Sequence, residues 1–171
     1  MTKQKGFTLI ELLLVLAIIG IISAIAVPAL LSQRARARDK AAISNLLGRI
    51  NDLAGQYDKA KEGGSKTIAA DLGAYLGATS STDRNPWNSA EGAFQVDPSV
   101  ATAITLETIT GSTLVKAEAA IKAKATVLGR PVFGLIEPAA IGGTGFLAGA
   151  VKTQNAQTDG TPYVIKVVNV E

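Results

Sequence analysis

The sequence contains no cysteine and no histidine among its 171 residues. Without cysteine, neither a disulfide nor a thiolate metal site can form. Without histidine, the chain lacks the commonest general base and the commonest ligand of transition metals. A nucleophile elbow and a phosphate-binding loop are absent as well. We therefore expect a protein that is not an enzyme and that needs no cofactor.

Aromatic side chains and net charge are also scarce. Four Phe, three Tyr and one Trp make up 5% of the residues, which are too few and too scattered for a stacked conduction path. The formal net charge is only +3, and this value does not by itself indicate a nucleic-acid partner. The length suits one ordinary domain with an appendage.

A long apolar run lies near the amino terminus, from residue 7 to residue 27. It has 21 residues, and Glu11 is its only charged side chain. A helix of this length spans roughly 31 Å, about the thickness of the hydrocarbon core of a bilayer. The apolar region of a secretory signal peptide is usually shorter, about 7–15 residues. We therefore interpret the run as a helix that stays in the membrane.

Glu11 is unusual in such a run, because an ionised carboxylate in a transmembrane helix costs on the order of 2.5–3.5 kcal/mol on insertion scales. Its position alone leaves three interpretations open. The side chain extends to the nearby headgroups, or it is protonated, or it pairs with a buried group of opposite charge.

The residues around Glu11, "GFTLIEL", resemble the processing site of type IV prepilins and related pseudopilins. In that family a peptidase on the cytoplasmic side cuts after the glycine, here Gly6, and the new terminal residue, here Phe7, is N-methylated. The family's glutamate, here Glu11, is thought to attract the terminal amine of a neighbouring subunit during assembly. The leader "MTKQKG" is short and basic, as the resemblance implies. The resemblance covers about residues 1–35.

This resemblance implies a structural subunit that polymerises with itself into a type IV pilus. The implied partners are the inner membrane before assembly, the prepilin peptidase and the pilus assembly machinery, and the implied location of the product is a surface filament. Two alternatives stay open. One is a pseudopilin of type II secretion, which would remain periplasmic, and the other is a single-pass membrane protein whose head binds a ligand.

Gly20 and Pro28 stand where many pilins have a glycine and a proline. Pro28 donates no backbone hydrogen bond and crowds the preceding turn, so we expect a kink there. Gly20 is a second weak point of the helix. In assembled pili of this family the segment between such residues can melt and extend, whereas an ordinary proline kink is the alternative.

The helical pattern continues to about residue 61 and becomes amphipathic. Apolar residues recur at steps of three and four, and this spacing places them on one face that needs a cover. They are Ile43, Leu46, Ile50, Leu53 and Tyr57.

Three arginines precede this stripe, at Arg34, Arg36 and Arg38. On a helix they fan around more than half of the circumference. They are interpreted either as a solvated collar at the level of lipid headgroups or as inter-subunit ion pairs.

The rest of the chain is expected to form a globular head. We predict a helix over residues 67–76 that ends at Gly77, a loop over 77–92, and a second helix between Ser112 and Gly129. Strands are predicted over 93–96, 103–110, 131–137 and 161–170, with one more between the last two.

The expected fold class is α+β, with a long amino-terminal helix packed against an antiparallel β-sheet. The helix has a membrane-spanning half and an amphipathic half. The predicted segments are a leader over residues 1–6, a membrane-spanning helix over 7–28, the amphipathic half over 29–61 and the head over 62–171.

The loop "TDRNPWN" and its surroundings contain oxygen ligands of the kind that calcium accepts. They are Asp83, Asn85, Asn88, Glu91 and Asp97. No EF-hand pattern is present, and a loop rich in Asn and Asp usually forms only turns. We therefore expect no metal here, and we expect Trp87 to be an anchor in the core or at an interface.

Overall fold

The computed structural model describes residues 6–66, 68–80, 84–92, 94, 107–110, 114–137 and 145–170. Within these ranges the helices are α1 (Leu9–Glu62), α2 (Ile68–Ser80) and α3 (Leu114–Lys124). The strands are β1 (Glu107–Thr110), β2 (Val132–Glu137), β3 (Gly145–Lys152) and β4 (Tyr163–Val170). The chain divides into two compact units, Met1–Arg36 and Ala37–Glu171, and each is described by itself.

The first unit consists, in its described part, of the start of α1 and the three residues before it. The large apolar side chains of this segment are exposed, from Phe7 at 92% to Ile18 at 49%. The helix is long and apolar enough, by length and composition, to cross a membrane. Gly20 and Pro28 both lie inside it, and neither interrupts α1. The kink and the local melting stay predictions.

The sheet of the second unit has the order β1-β2-β3-β4. The strands β2, β3 and β4 are antiparallel neighbours, which confirms the predicted antiparallel sheet for these three. β1 is different, because it pairs parallel to β2, with Glu107 opposite Gly134. The reason is that α3 lies between the two strands in the chain and forms a crossover connection, which returns the chain in the same direction.

The apolar stripe of α1 packs against one face of this sheet. Leu46, Ile50 and Leu53 are fully buried, in one cluster with Phe133 and Leu147. The stripe that the sequence predicts is therefore confirmed. Its remaining members, Ile43 and Tyr57, are partly buried against the same cluster.

Gly149 on β3 lets the helix and the sheet approach closely. A Cβ at this position would lie 2.6 Å from Cδ1 of Leu46 and 3.0 Å from Cδ1 of Phe133. No side chain larger than hydrogen fits at such distances unless its neighbours move.

The opposite face of the sheet carries a second, smaller cluster under α3. Ile121 and Ala125 pack on Ala148 and Ala150 of β3. The second unit thus has three layers, helix, sheet and helix, whereas the sequence analysis expected a cover on one face only. The small side chains of Ala148 and Ala150 in β3 leave room for α3 on this face.

The glycines near the helix ends behave in two ways. At the end of α1, Gly64 has a φ of +71°, and the N–H of Ser65 donates to the carbonyl of Ala60 at 3.0 Å. This geometry is that of a glycine cap at the carboxyl end of a helix. The predicted end of α2 at Gly77 is wrong, because the helix continues to Ser80. Gly77 does not adopt the positive φ that ends a helix.

Several other predicted bounds change or lie outside the described residues. Phe94 lies in a bend and not in a strand, and the residues on either side of it are outside. Of the strand predicted over 103–110, the described part is β1, and Ser112 is outside. The strand predicted over 161–170 is observed as β4 and pairs with β3 at every position from Tyr163 to Val170.

Candidate functional site

The start of α1 is a capping box formed by Thr8 and Glu11. Thr8 directly precedes the first helical residue, and its hydroxyl accepts a hydrogen bond from the backbone N–H of Glu11 at 3.3 Å. In return, the carboxylate of Glu11 accepts the N–H and the hydroxyl of Thr8, both at 2.8 Å. This reciprocal pattern satisfies backbone groups that a helix start leaves free. The sequence analysis missed it, although Thr8 lies three residues before Glu11.

Phe7 and Gly6 lie just outside this first turn and are open to their surroundings. Phe7 is 92% exposed, and a Cβ at Gly6 would meet no atom within 4 Å. In the part of the chain that the structure describes, no cationic side chain forms an ion pair with Glu11. The structure therefore places the predicted cleavage bond and Glu11 within one turn of the same helix end.

Gly20 and Pro28 occupy positions on the exposed part of the helix. A Cβ at Gly20 would also meet no atom within 4 Å, so packing inside the subunit does not require a glycine there. The structure does not bring Gly20 or Pro28 to Glu11, from which they are separated by two or more helical turns.

A second polar cluster lies around Asp39, in the second unit. Asp39 is 4% exposed. Its Oδ1 accepts hydrogen bonds from Nε1 of Trp87 at 3.2 Å and from the N–H of Gln154 at 3.0 Å. Its Oδ2 accepts the N–H of Asn155 at 3.0 Å and the side-chain amide of the same residue at 2.7 Å. Four donors satisfy this buried carboxylate, as burial of a charge requires.

Trp87 is an anchor, as the sequence predicts, and its neighbours hold it from several sides. The guanidinium of Arg38 lies 5.3 Å from the ring centroid. The backbone N–H of Trp87 donates to Oδ1 of the buried Asn85 at 3.0 Å. Gly129 has a φ of +74°, and a Cβ there would lie 2.4 Å from Cδ1 of the indole. Of the three arginines before the stripe, Arg38 thus contacts the head.

The oxygens considered for calcium serve as acceptors within the loop. The carboxylate of Glu91 accepts the side-chain amides of Asn85 at 3.3 Å and Asn88 at 2.9 Å, and it faces Arg130 at 3.7 Å. Among the described residues no three acidic side chains converge. Asp83 and Asp97 lie outside them. This arrangement is that of a hydrogen-bonded turn.

Residues 1–27 match a family model described as the prokaryotic N-terminal methylation motif. Four of the five predicted site residues of the amino-terminal segment fall within the matched residues, and Pro28 lies one residue beyond them. No solved structure matches the chain significantly.

Several curated proteins are similar to part of the chain. A fimbrial protein of Neisseria meningitidis is 42% identical over 82 residues, which are 48% of this chain and 45% of the relative. The type IV wide pilus major component PilA4 of Thermus thermophilus is 59% identical over 39 residues, 23% of this chain and 30% of the relative. The type II secretion system core protein G of Vibrio cholerae is 33% identical over 94 residues, 55% of this chain and 62% of the relative. Each match spans less than two thirds of the relative's length.

Proposed function

Because this chain belongs to the type IV pilin-like family, we propose that it is a structural subunit of a type IV pilus. The chain is cleaved by a prepilin peptidase after Gly6, methylated at Phe7 and polymerised through the apolar part of α1. As a precursor it resides in the inner membrane, and as a filament it lies on the cell surface.

One observation carries this proposal: an apolar helical surface that the subunit itself leaves uncovered. The large apolar side chains in the described part of the first unit are about half to nine-tenths exposed. Burial of apolar surface contributes roughly 25 cal/mol per Å², so such a segment is stable only in lipid or against other helices. The apolar surface is covered by lipid in the precursor and by identical helices in the filament, so it is buried both before and after assembly.

Cleavage after Gly6 creates a positive charge at the start of α1, which is the second basis of the proposed assembly. The new ammonium on Phe7 lies within one turn of the Glu11 carboxylate. In a medium of low dielectric constant an ammonium of an adjacent subunit and this carboxylate offset the cost of removing each other from water. A subunit in a wrong axial register leaves both charges unpaired, so the pair sets the register of assembly.

Mass spectrometry of the mature protein tests the processing step. We expect intact mass to show the loss of residues 1–6 and the gain of one methyl group on Phe7. A mature chain that retains its first six residues contradicts the proposal and favours a single-pass membrane protein with a binding head.

The register role of Glu11 is tested with Glu11→Gln. The glutamine keeps the size of the side chain and one oxygen for the Thr8 cap but removes the charge. We expect normal cleavage and membrane insertion, with at least a tenfold loss of assembled filament in sheared surface material. Normal filament yield would show that the charge is not needed.

A type II secretion pseudopilin is the second candidate, and the longer match to the Vibrio protein supports it. Electron microscopy of sheared surface material distinguishes the two. Long surface filaments that contain this chain support a pilin, and their absence from cells in which the chain is processed supports a pseudopilin.

A further inference from the structure

Two loops of the second unit meet α1 at one carboxylate. The first loop, residues 84–92, is here named the tryptophan loop. The second, residues 153–162, joins β3 to β4 and is named the β3–β4 loop. Oδ1 of Asp39 accepts one hydrogen bond from each loop, from Trp87 and from Gln154. These two donors lie 48 and 115 residues away in the chain.

The β3–β4 loop is braced internally by hydrogen bonds. The N–H of Thr153 donates to the carbonyl of Pro162 at 2.9 Å, and that of Gln157 donates to the carbonyl of Thr161 at 2.8 Å. The side-chain amide of Gln157 also donates to the carbonyl of Asn155 at 3.0 Å. Asn155 in turn gives both donors to Oδ2 of Asp39.

The tryptophan loop is braced in the same way. The N–H of Asn85 donates to the carbonyl of Glu91 at 3.1 Å, and Arg84 forms an isolated bridge with Gly92. These contacts join the two ends of the loop on either side of Trp87.

Neither loop is held by the hydrophobic clusters. Among the described residues, no side chain of residues 84–92 or 153–162 belongs to the cluster under α1 or to the one under α3. In the described residues the loops are attached by hydrogen bonds, by the ion pair of Glu91 with Arg130, and by the packing of Trp87 against Arg38 and Gly129. Local opening of such segments costs less free energy than unfolding of the core.

We propose that Asp39 is a latch that makes the tryptophan loop and the β3–β4 loop open and close together, while the sheet stays intact. Its two oxygens accept four hydrogen bonds, two on each oxygen. When one loop leaves, water reaches the carboxylate and competes with the donors of the other loop, so the remaining hydrogen bonds contribute less to closure of that loop. The latch is a property of the single subunit and goes beyond the proposed function.

Asparagine cannot replace this residue. In either orientation of the amide, its NH₂ group would face two donors, because each oxygen of Asp39 accepts two hydrogen bonds. The variant Asp39→Asn thus keeps the size of the side chain and breaks the latch.

The latch is tested by hydrogen exchange on the full chain in detergent micelles. In Asp39→Asn we expect the amides of Gln154 and Asn155 and those of the tryptophan loop to exchange about tenfold faster or more, the equivalent of one or two lost hydrogen bonds. Amides of β3 and β4 should keep their protection. The emission of Trp87, the single tryptophan of the chain, should shift to the red. The matched control is Asp58→Asn, an exposed aspartate on the same helix, which should change none of these.

A second variant tests the coupling directly and does not depend on the folding of the first. Trp87→Phe keeps an aromatic ring against Gly129 but removes the N–H that reaches Asp39. We expect faster exchange at Gln154 and Asn155, although neither touches residue 87 in a hydrogen bond. The proposal is overturned if that exchange is unchanged in Trp87→Phe, if only one loop responds in Asp39→Asn, or if the strands respond as much as the loops.

Discussion

Single residues decide how closely the layers of this head can pack. Gly149 brings β3 against Leu46 of α1, and Gly129 makes room for Trp87 while holding a positive φ. Both positions require glycine. At Gly149 the reason is only the close contact with neighbouring side chains, whereas at Gly129 the positive φ is a second reason. Other glycines, such as Gly48 and Gly55, face open space.

We predict that Gly149→Ala destabilises the head. The added methyl would lie 2.6 Å from Cδ1 of Leu46, and overpacking of this kind costs about 1–3 kcal/mol. Chemical denaturation followed by Trp87 fluorescence measures the loss. The control is Gly48→Ala on the exposed side of α1, which should be neutral or stabilise by up to about 1 kcal/mol, because alanine favours helices. Equal effects of the two substitutions would contradict the packing argument.

Asp159 provides a prediction about pH. The N–H of Thr161 and then its hydroxyl donate to this carboxylate and hold its pKa below the ordinary value for aspartate. Since the folded pKa is lower than the unfolded one, the contribution to stability is present above the ordinary pKa and is lost as the pH falls through the folded pKa. An NMR titration should show the lowered midpoint, and Thr161→Ala should move it upward. A midpoint that Thr161→Ala leaves unchanged would exclude the hydroxyl as a cause of the lowered pKa and leave the backbone N–H of residue 161.

At the scale of elements, the long helix uses its surface in two different ways. From Asp39 onward, every third or fourth side chain is buried by the head, while the apolar residues before it are uncovered. Neighbouring residues of α1 therefore differ sharply in their contribution to stability.

We expect Leu46→Ala and Leu47→Ala to differ strongly. Leu46 is fully buried, and its truncation should cost about 2–5 kcal/mol. Leu47 is 40% exposed, so its truncation should cost well under half as much. Urea midpoints of the two variants, measured side by side, check this ratio. Similar midpoints would show that the α1 stripe is not the centre of the core.

The cap at the start of α1 is tested separately. Thr8→Ala removes the hydroxyl that pairs with Glu11 and should cost about 0.5–2 kcal/mol of local helix stability, visible as faster amide exchange in the first turn. Thr8→Ser keeps the hydroxyl and should preserve protection. If the first-turn amides of both variants exchange at the same rate, the Thr8 hydroxyl does not stabilise the start of α1.

The elements show what the sequence can and cannot predict. The stripe from Ile43 to Tyr57 follows from helical periodicity, which is a local signal. The parallel pairing of β1 and β2 was missed although a helix was predicted between these strands, because the pairing is a relation between distant segments. Asp39 was counted only as a charge, since no local pattern shows that Trp87 and Asn155 converge on it. Thr8 was overlooked despite a local signal, the spacing of a capping box.

At the scale of the whole molecule, the two units differ in what they need in order to bury their apolar surface. The uncovered apolar segment requires other helices or lipid, whereas the described part of the second unit buries its own stripe of α1 and pairs the Asp39 carboxylate. A variant in the first unit should therefore change assembly without changing the head, and a variant in the head core should do the opposite.

We predict that Gly20→Ala leaves the thermal stability of the head within about 0.5 kcal/mol of the parent, as expected for a site without neighbours. If the segment from Gly20 to Pro28 melts in the filament, the same variant should stiffen it and reduce extension of single filaments under force. Extension equal to that of the parent would mean that Gly20 does not act as a weak point.

The position of β4 in the chain has a consequence for folding during synthesis. β4 ends at Val170, and Val170 is buried in the cluster that also holds Leu46. The ribosome synthesises Leu46 more than a hundred residues before Val170. The apolar face of α1 is therefore incompletely covered while these residues are being synthesised. During that interval we expect a chaperone or the translocation channel to prevent aggregation of the nascent chain through this apolar face.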